Sequence, residues 1–376
     1  MSQQDKLSIV VVGAGIIGAS IAYHLSLRRN ITVTVLERDE PGAGASDHSF
    51  AWMNSFGKDP KSYHQFNRRS MELWHRFAHN LEADVGFHCG GELRWENTAE
   101  GAEALHQRIR QLQAWGYLCR LITIDELRRL EPGLSPDLVT AASLSEADGQ
   151  VDPSKVIDAC LKRACERGAV VHSQTPVTSL CLVKKRIEAV KTPKTEINCD
   201  IVVLASGVNT TELAAMAGVD IPQQESPGIV IRTDPRPPVL HTISALHAPA
   251  IDANRAGIHL RQCTDGTLRI GQGTQQSLNQ DDSQEHANDL LNRATHYLPA
   301  LAGARAIPVP VGYRPMPLDG LPILGFAEAV PNLYIALMHS GVTLAPLAGE
   351  LVALEIADGA CVETLQPYRP ERFCRR

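Results

Sequence analysis

The 376-residue sequence lacks several features that mark common functional classes. Its nine cysteines include no Cys-x-x-Cys pair, which argues against a zinc module and against a dithiol redox centre. No dense block of lysine and arginine occurs and the formal net charge is −6, so a nucleic-acid partner is not expected. No apolar run reaches the ~18–20 residues that span a bilayer. An integral membrane segment is therefore not expected, whereas peripheral association with a membrane stays open.

Neither a secretion signal nor a metal site is expected from the sequence. The apolar run near the N-terminus is interrupted by glycines, and we interpret it as a strand and not as a signal peptide. Scattered cysteines without such a signal favour a reducing, cytoplasmic compartment. His75 and His79 lie four residues apart on a predicted helix, but no third ligand is evident, so no metal site is expected. The composition, with 44% hydrophobic and 21% charged residues, is that of a globular protein with a sizeable core.

Residues 9–37 contain a dinucleotide-binding pattern. An apolar β-branched run leads into Gly13, Gly15 and Gly18, spaced G-x-G-x-x-G, and a helical pattern and a second β-branched run follow, ending at Glu37. The three glycines permit, in order, a tight turn, close approach of a pyrophosphate and close packing of helix on strand. The pyrophosphate is expected at the N-terminus of the helix, with Glu37 accepting from the ribose hydroxyls.

Small residues recur at two later places where backbone can lie against a ligand. Gly44-Ala45-Ser46 follow the second strand of the pattern, although a plain surface turn would have a similar sequence. Ala205-Ser206-Gly207 follow an apolar, buried strand at residues 201–204. No second nucleotide fingerprint is found, which disfavours NAD(P)H as a source of electrons.

The character of the sequence changes along the chain. Residues 59–85 are typical of a long helix, with Asp59 as its expected N-cap. Residues 222–310 are rich in proline and short β-runs, which predicts a mixed antiparallel sheet with helices. Strand and helix patterns of the α/β type return after residue 312. The chain is therefore expected to leave the nucleotide domain, form a second domain and return.

These motifs, with others near the C-terminus, resemble those of the FAD-dependent D-amino acid oxidase superfamily, which includes glycine oxidase, sarcosine oxidase and D-amino acid dehydrogenases. The resemblance covers nearly the whole chain. Its most specific parts are Gly312-Tyr313-Arg314-Pro315 and Asp319-Gly320-x-Pro322-x-x-Gly325. Residues 148–153 and 338–346 also resemble segments of that family.

The resemblance implies an α/β fold with two domains. A discontinuous, Rossmann-like FAD-binding domain is expected from residues 1–60, 148–222 and 312–376. A mixed antiparallel-sheet α+β substrate-binding domain is expected from residues 61–147 and 223–311.

The resemblance also implies a site for FAD. Residues 340–343 are expected along the pyrimidine edge of the flavin, where the following helix would stabilise charge at N1–C2=O. The backbone of Val177 is expected to hold the adenine. The residues assigned to the cofactor are Gly13, Gly15, Ile16, Ile17, Gly18, Glu37, Arg38, Gly44, Ala45, Ser46, Val177, Ala205, Gly207, Arg314, Ser340, Gly341, Val342 and Thr343.

Two positions bear on how the flavin is attached. His48 lies near where certain dimethylglycine-type relatives bond the flavin covalently, but the residues around it differ from theirs. Relatives with a cysteinyl–flavin bond carry the cysteine where this chain has Gly312. The FAD is therefore expected to be non-covalent.

Two residues are assigned to the substrate by the resemblance. Arg314 is expected to clamp a carboxylate, because a planar guanidinium matches it bidentately, although a structural arginine paired with a core acid is the alternative. His259 takes roughly the place of a substrate-contacting tyrosine in some relatives, and a satisfied core histidine is the alternative.

The implied activity is oxidation of the Cα–N bond of an amino acid or N-alkyl amino acid. Hydride would pass to flavin N5, and O2, a quinone or another carrier would accept the electrons. A 2-hydroxy acid oxidoreductase and a flavoprotein subunit without substrate chemistry of its own remain as alternatives.

Overall fold

The computed structural model of the protein describes residues 6–252, 255–273 and 277–373. The α-helices are α1 Ile16–Ser26, α2 Lys61–Leu81, α3 Ala99–Ala114, α4 Ile124–Leu130, α5 Pro153–Glu166, α6 Thr210–Ala215, α7 Gln284–Tyr297 and α8 Gly341–Asp358. The strands are β1 Leu7–Val12, β2 Ile31–Leu36, β3 Trp52–Met53, β4 Glu92–Glu96, β5 Cys119–Ile122, β6 Ala141–Ser145, β7 Gly149–Gln150, β8 Val170–His172, β9 Ser179–Val183, β10 Arg186–Lys191, β11 Glu196–Asn198, β12 Ile201–Leu204, β13 Gln223–Gln224, β14 Pro227–Gly228, β15 Val230–Thr233, β16 Ala245–Ala248, β17 Ile258–Gln262, β18 Leu268–Gln272, β19 Ala306–Ile307, β20 Gly312–Tyr313, β21 Met316–Pro317, β22 Ile323–Ala327 and β23 Val330–Leu337.

A six-stranded sheet forms the first half of the molecule, in the order β8-β2-β1-β12-β23-β22. The first five strands are parallel, and β22 pairs antiparallel with β23. Val12 pairs with Leu36 on one side and with Leu204 on the other. Because parallel strands end at the same edge, the segments that follow these three residues lie side by side at that edge.

Helices α1, α8 and α2 pack in succession and share one core with strands of this sheet. The apolar helix α8 lies against α1, where Ser20 Oγ donates to the Ala345 carbonyl oxygen at 2.7 Å. A Cβ atom on Gly349 would lie 2.3 Å from Ser20 Oγ, so only glycine permits this approach. Helix α2 packs on α8 and contributes Phe66 and Trp74 to the same core. Residues 61–81, which were expected in the substrate-binding domain, thus pack with the half of the molecule that contains the six-stranded sheet, here called the nucleotide half. The predicted division into domains remains a proposal.

The second sheet has eight strands in the order β19-β15-β18-β17-β16-β4-β6-β5, all antiparallel except the pair β16–β4. Helix α7 packs on one face, where Leu246, Leu260 and Ile270 are buried with Leu290. The other face carries a row of directly paired residues: Arg94, His247, His259 and Gly271. The predicted α/β fold with a second, mixed-sheet part is confirmed.

The expected cap at Asp59 is wrong. Helix α2 begins at Lys61 after Pro60, and no side chain caps it. The Asp59 carboxylate instead accepts a hydrogen bond from Arg108 Nη1 at 3.1 Å. Among the described helices, none has both the length and the apolar character that crossing a bilayer requires.

Glu131 links two loops of the second half, and its removal is expected to destabilise the fold. The side chain is fully buried, and its carboxylate accepts from the backbone N–H groups of His241, Thr242 and Ile243 at 2.7–3.1 Å. Glu131→Ala should lower the free energy of unfolding by about 2–4 kcal/mol, because buried N–H groups lose their acceptor. Urea denaturation measures this, with the exposed Glu72→Ala as control. A loss as small as the control's would contradict the prediction.

Candidate active site

The turn after β1 contains two glycines, Gly13 and Gly18, that no other residue could replace. Gly13 has φ +103°, and its N–H donates to the Leu36 carbonyl oxygen at 2.8 Å. A Cβ atom on Gly13 would lie 2.5 Å from the Ala205 carbonyl oxygen. A Cβ atom on Gly18 would lie 1.9 Å from the Gly13 carbonyl oxygen. The turn therefore packs directly on the end of β12.

The middle glycine of the fingerprint faces open space. Gly15 is the N-cap of α1, and a Cβ atom there would meet only Ser46 Oγ, at 3.4 Å. A Cβ atom on Gly44 would meet nothing within 4 Å, and one on Gly207 only Pro315 at 4.0 Å. The Ile16 N–H donates to Ser46 Oγ at 3.0 Å, which joins the loop 44–46 to the first turn of α1. This open, backbone-lined groove at a helix N-terminus fits a pyrophosphate.

Glu37 lies at the end of β2, beside the same turn. Its Oε2 atom accepts from the Ala14 N–H at 2.7 Å, and Oε1 accepts from the Asp39 N–H at 3.0 Å. Carboxylate oxygens have further lone pairs, so Glu37 can still accept from ribose hydroxyls. Arg38 forms an exposed ion pair with Asp39, and the half-buried Val177 packs on the nearby core.

The N-terminus of α8 abuts that of α1. Ser340 precedes α8 in the left-handed conformation, with φ +63°. A Cβ atom on Gly341 would lie 3.3 Å from Ile17, in the first turn of α1. Val342 is buried, and the Thr343 carbonyl oxygen accepts from Trp74 Nε1 at 3.2 Å. Two helix N-termini, each with a positive dipole end, therefore lie together beside the turn after β1.

Arg314 lies over a glycine, and none of the residues that the structure describes is an acidic partner for it. Its Nη1 atom donates to the Pro227 carbonyl oxygen, and a Cβ atom on Gly228 would lie 2.6 Å from Nη2. Burial lowers the pKa of the guanidinium, and within the described residues no carboxylate forms an ion pair with it. The alternative of a structural arginine paired with a core acid therefore gains no support. A half-buried, unpaired guanidinium is suited to an anionic ligand.

His259 lies in the same region, also over a glycine. A Cβ atom on Gly271 would lie 2.4 Å from His259 Nε2. The ring stacks on His247 at 5.5 Å between centroids and meets Phe50 edge-on at 4.6 Å. Burial, with the Arg314 charge as a smaller cause, lowers the pKa of His259 to about 4. His259 is thus a neutral imidazole near Arg314, and its contact with substrate stays a prediction.

Two buried carboxyl groups near this face were not predicted from the sequence. Asp148 accepts from Tyr117 OH and, at 2.8 Å, from Trp52 Nε1. Glu92 is fully buried beside Arg94, with 3.1 Å between Oε1 and Nε. Burial raises the pKa of both carboxyl groups, and the charge of Glu92 further raises the pKa of Asp148. Glu92 and Arg94 alternate with apolar residues in β4, a pattern that wrongly suggests a solvent-facing side.

The two positions linked to covalent attachment lie against each other. A Cβ atom on Gly312 would be 2.4 Å from His48 Cβ, and His48 Nδ1 lies 3.1 Å from the Gly44 carbonyl oxygen. Non-covalent binding of FAD stays a prediction. In the described part of the chain, no cluster of three or more His, Cys, Asp or Glu side chains could hold a metal ion.

Comparison with known proteins decides the family. The family model DAO, described as FAD dependent oxidoreductase, matches residues 8–354. The chain belongs to this family. FAD is the cofactor of the family, and the groove between Gly15, Gly44 and Gly207 fits its pyrophosphate.

Individual members of the family match the chain over most of its length. A subunit of the opine oxidase of Rhizobium meliloti is 27% identical over 385 residues, covering 98% of each chain. Glycine oxidase of Geobacillus kaustophilus is 26% identical, covering 93% of this chain and 92% of that protein. The crystal structure of L-proline dehydrogenase from P. horikoshii has a TM-score of 0.85 at 27% identity and covers 98% of both chains.

Proposed function

We propose that the protein oxidises the Cα–N bond of an amino acid or N-alkyl amino acid to an imine, which water then hydrolyses. The observation that carries this proposal is Arg314, a half-buried guanidinium without an acidic partner among the described residues. A substrate carboxylate would supply that partner through two charge-assisted hydrogen bonds. Glycine oxidase, opine oxidase and L-proline dehydrogenase, as relatives, support a substrate of this class.

In this mechanism the protein binds and orients, and FAD, when bound, accepts the hydride. Arg314 holds the carboxylate so that the Cα–H bond has a fixed direction. His259 and Phe50 form an aromatic wall beside it that excludes water. Because His259 is neutral, it adds no positive charge to repel the substrate's amino group. No side chain has to act as a strong base if the amine is bound in its neutral form.

The substrate panel that tests this proposal includes amino acids of both hands, glycine, sarcosine and proline derivatives. Each is mixed anaerobically with the FAD-loaded protein, and the loss of flavin absorbance is recorded. Bleaching by a member of the panel, with release of ammonia or an alkylamine, is the expected result. Bleaching by 2-hydroxy acids alone would support the alternative oxidoreductase.

The rate of flavin reduction is expected to rise with pH because of the substrate's own amine. A free amine has a pKa of ~10, and hydride leaves readily only when the nitrogen is neutral. The pKa of His259, about 4, keeps that ring neutral above pH ~5, so it does not titrate in this window. Anaerobic stopped-flow rates should therefore show a rising limb that moves with the amine pKa across substrates. If the rise in rate occurred at the same pH for every substrate, it would instead reflect titration of a protein group.

The acceptor of the electrons distinguishes an oxidase from a dehydrogenase. We propose that the acceptor is either O2 or a quinone or protein carrier. Reoxidation of the substrate-reduced flavin in air-saturated buffer distinguishes O2 from the other acceptors. Rapid reoxidation with formation of hydrogen peroxide supports O2. Flavin that stays reduced in air but is reoxidised by a quinone supports the dehydrogenase.

A second candidate function is that of a subunit whose partner completes the electron transfer. The name of the Rhizobium relative, a subunit of opine oxidase, favours it. Anaerobic bleaching of the isolated chain by substrate would place the amine chemistry in this chain. Bleaching that required a co-expressed partner would support the subunit function.

A further inference from the structure

Lys58 is a buried cation that the mechanism above does not use. Lys58 is only 5% exposed, and its Nζ atom donates a hydrogen bond to Ser340 Oγ at 2.7 Å. Tyr63 OH also lies 3.4 Å from Ser340 Oγ. In the part of the chain that the structure describes, no carboxylate forms an ion pair with Lys58 Nζ. Burial lowers the pKa of Lys58 to about 8.

The surroundings do little to compensate this charge. Asp148 favours the charged form of Lys58 from a distance, but burial raises the pKa of that carboxyl group well above its ordinary value. His339, next to Ser340, has a pKa far below its usual range because of burial and the charges of Lys58 and Arg314. It is therefore neutral. A buried charge without a paired carboxylate costs free energy, so its presence calls for a function.

The location of Lys58 indicates what that function is. Ser340 directly precedes α8, and residues 340–343 are the segment assigned to the pyrimidine edge of the flavin. Hydride transfer brings two electrons and one proton to the ring, so the ring gains one negative charge. The α8 N-terminus offers only a partial charge of about +0.5. Arg314 is neutralised by the substrate carboxylate in the same complex.

We propose that Lys58, acting through Ser340, supplies the positive charge that balances the reduced flavin. This inference rests on the proposed function, because it needs FAD in the assigned groove. Lys58 therefore balances charge through Ser340, which it contacts directly. The prediction concerns the flavin itself and can be measured without substrate.

The test compares FAD-loaded wild type with Lys58→Met, which keeps the volume and removes the charge. Reduction of the bound flavin should become less favourable by about tenfold or more, which is about 30 mV for a two-electron couple. Dye-equilibrated reductive titration measures this potential. The affinity for sulfite, which adds to flavin N5 and also leaves negative charge on the ring, should fall by a similar factor. Lys58→Arg should retain most of both properties.

Stability separates this inference from a structural role. Removal of an unpaired buried charge should leave the melting temperature unchanged or raise it. A lower melting temperature with an unchanged potential would overturn the inference, as would an unchanged potential in a stable variant. If Lys58→Met fails to fold, Ser340→Ala, which removes the acceptor of Lys58, must shift the potential in the same direction. Wild type that binds no FAD would instead overturn the proposed function.

Discussion

Arg314→Ala is expected to weaken carboxylate ligands while FAD stays bound. Each charge-assisted hydrogen bond contributes ~1.5–3 kcal/mol, so loss of even one bond of the bidentate pair should raise the dissociation constant by about tenfold or more. Arg314→Lys should recover only part of this, because an ammonium group lacks the planar fork. Titration of the flavin absorbance with a carboxylate that the flavin cannot oxidise, such as benzoate or acetate, measures the effect.

Arg120→Ala is a matched control for Arg314→Ala. Arg120 is half-exposed on the edge strand β5, where it pairs with Glu126 and Glu146. Its replacement should leave both FAD content and carboxylate affinity at the wild-type level. Carboxylate affinity that survives in Arg314→Ala with full FAD content would remove the main support for substrate binding and favour a non-enzymatic flavoprotein.

Gly15→Val is expected to give a folded protein with a much lower affinity for FAD. The protein itself has room at the first side-chain position, since a Cβ atom on Gly15 meets only Ser46 Oγ at 3.4 Å. The pyrophosphate, which the fingerprint places against Gly15, does not have that room. We expect the dissociation constant of FAD to rise by about a hundredfold or more, in line with loss of several hydrogen bonds to an anion. Flavin fluorescence titration of the apoprotein measures it.

Two other glycine variants make this result specific. Gly133 lies outside the fingerprint, and a Cβ atom there would meet nothing closer than the Val239 carbonyl oxygen at 3.7 Å. The Gly133→Ala protein should therefore remain yellow. Gly18→Ala would place Cβ 1.9 Å from the Gly13 carbonyl oxygen and should therefore damage the fold itself. A yellow Gly15→Val protein with wild-type FAD affinity would show that the groove does not hold the pyrophosphate.

The nucleotide half could be predicted because its signals are local. Gly13, Gly18 and Glu37 lie within one strand–turn–helix–strand unit, and their spacing alone specifies the turn. The structure places Ala205 against Gly13 and Ser46 against Ile16, as expected for one groove. These contacts follow from the rule that neighbouring parallel strands end at one edge.

The remaining features depend on packing between distant segments. Lys58 and Ser340 are 282 residues apart, and nothing in either segment identifies the other. Glu92 was missed because alternation in β4 resembles a half-exposed strand, whereas the Glu92 side chain is fully buried. His247 lies in a four-residue strand without a periodic signal, and only the strand pairing brings it beside His259.

The contact between His48 and Gly312 has a consequence for how flavin attachment can evolve. The two positions occupy the same space, since a Cβ atom at position 312 would overlap the Cβ atom of His48. A lineage with this backbone cannot carry a histidine anchor and a cysteine anchor at once. Exchange of one type of tether for the other would have to pass through an ancestor that held its coenzyme by weak forces alone.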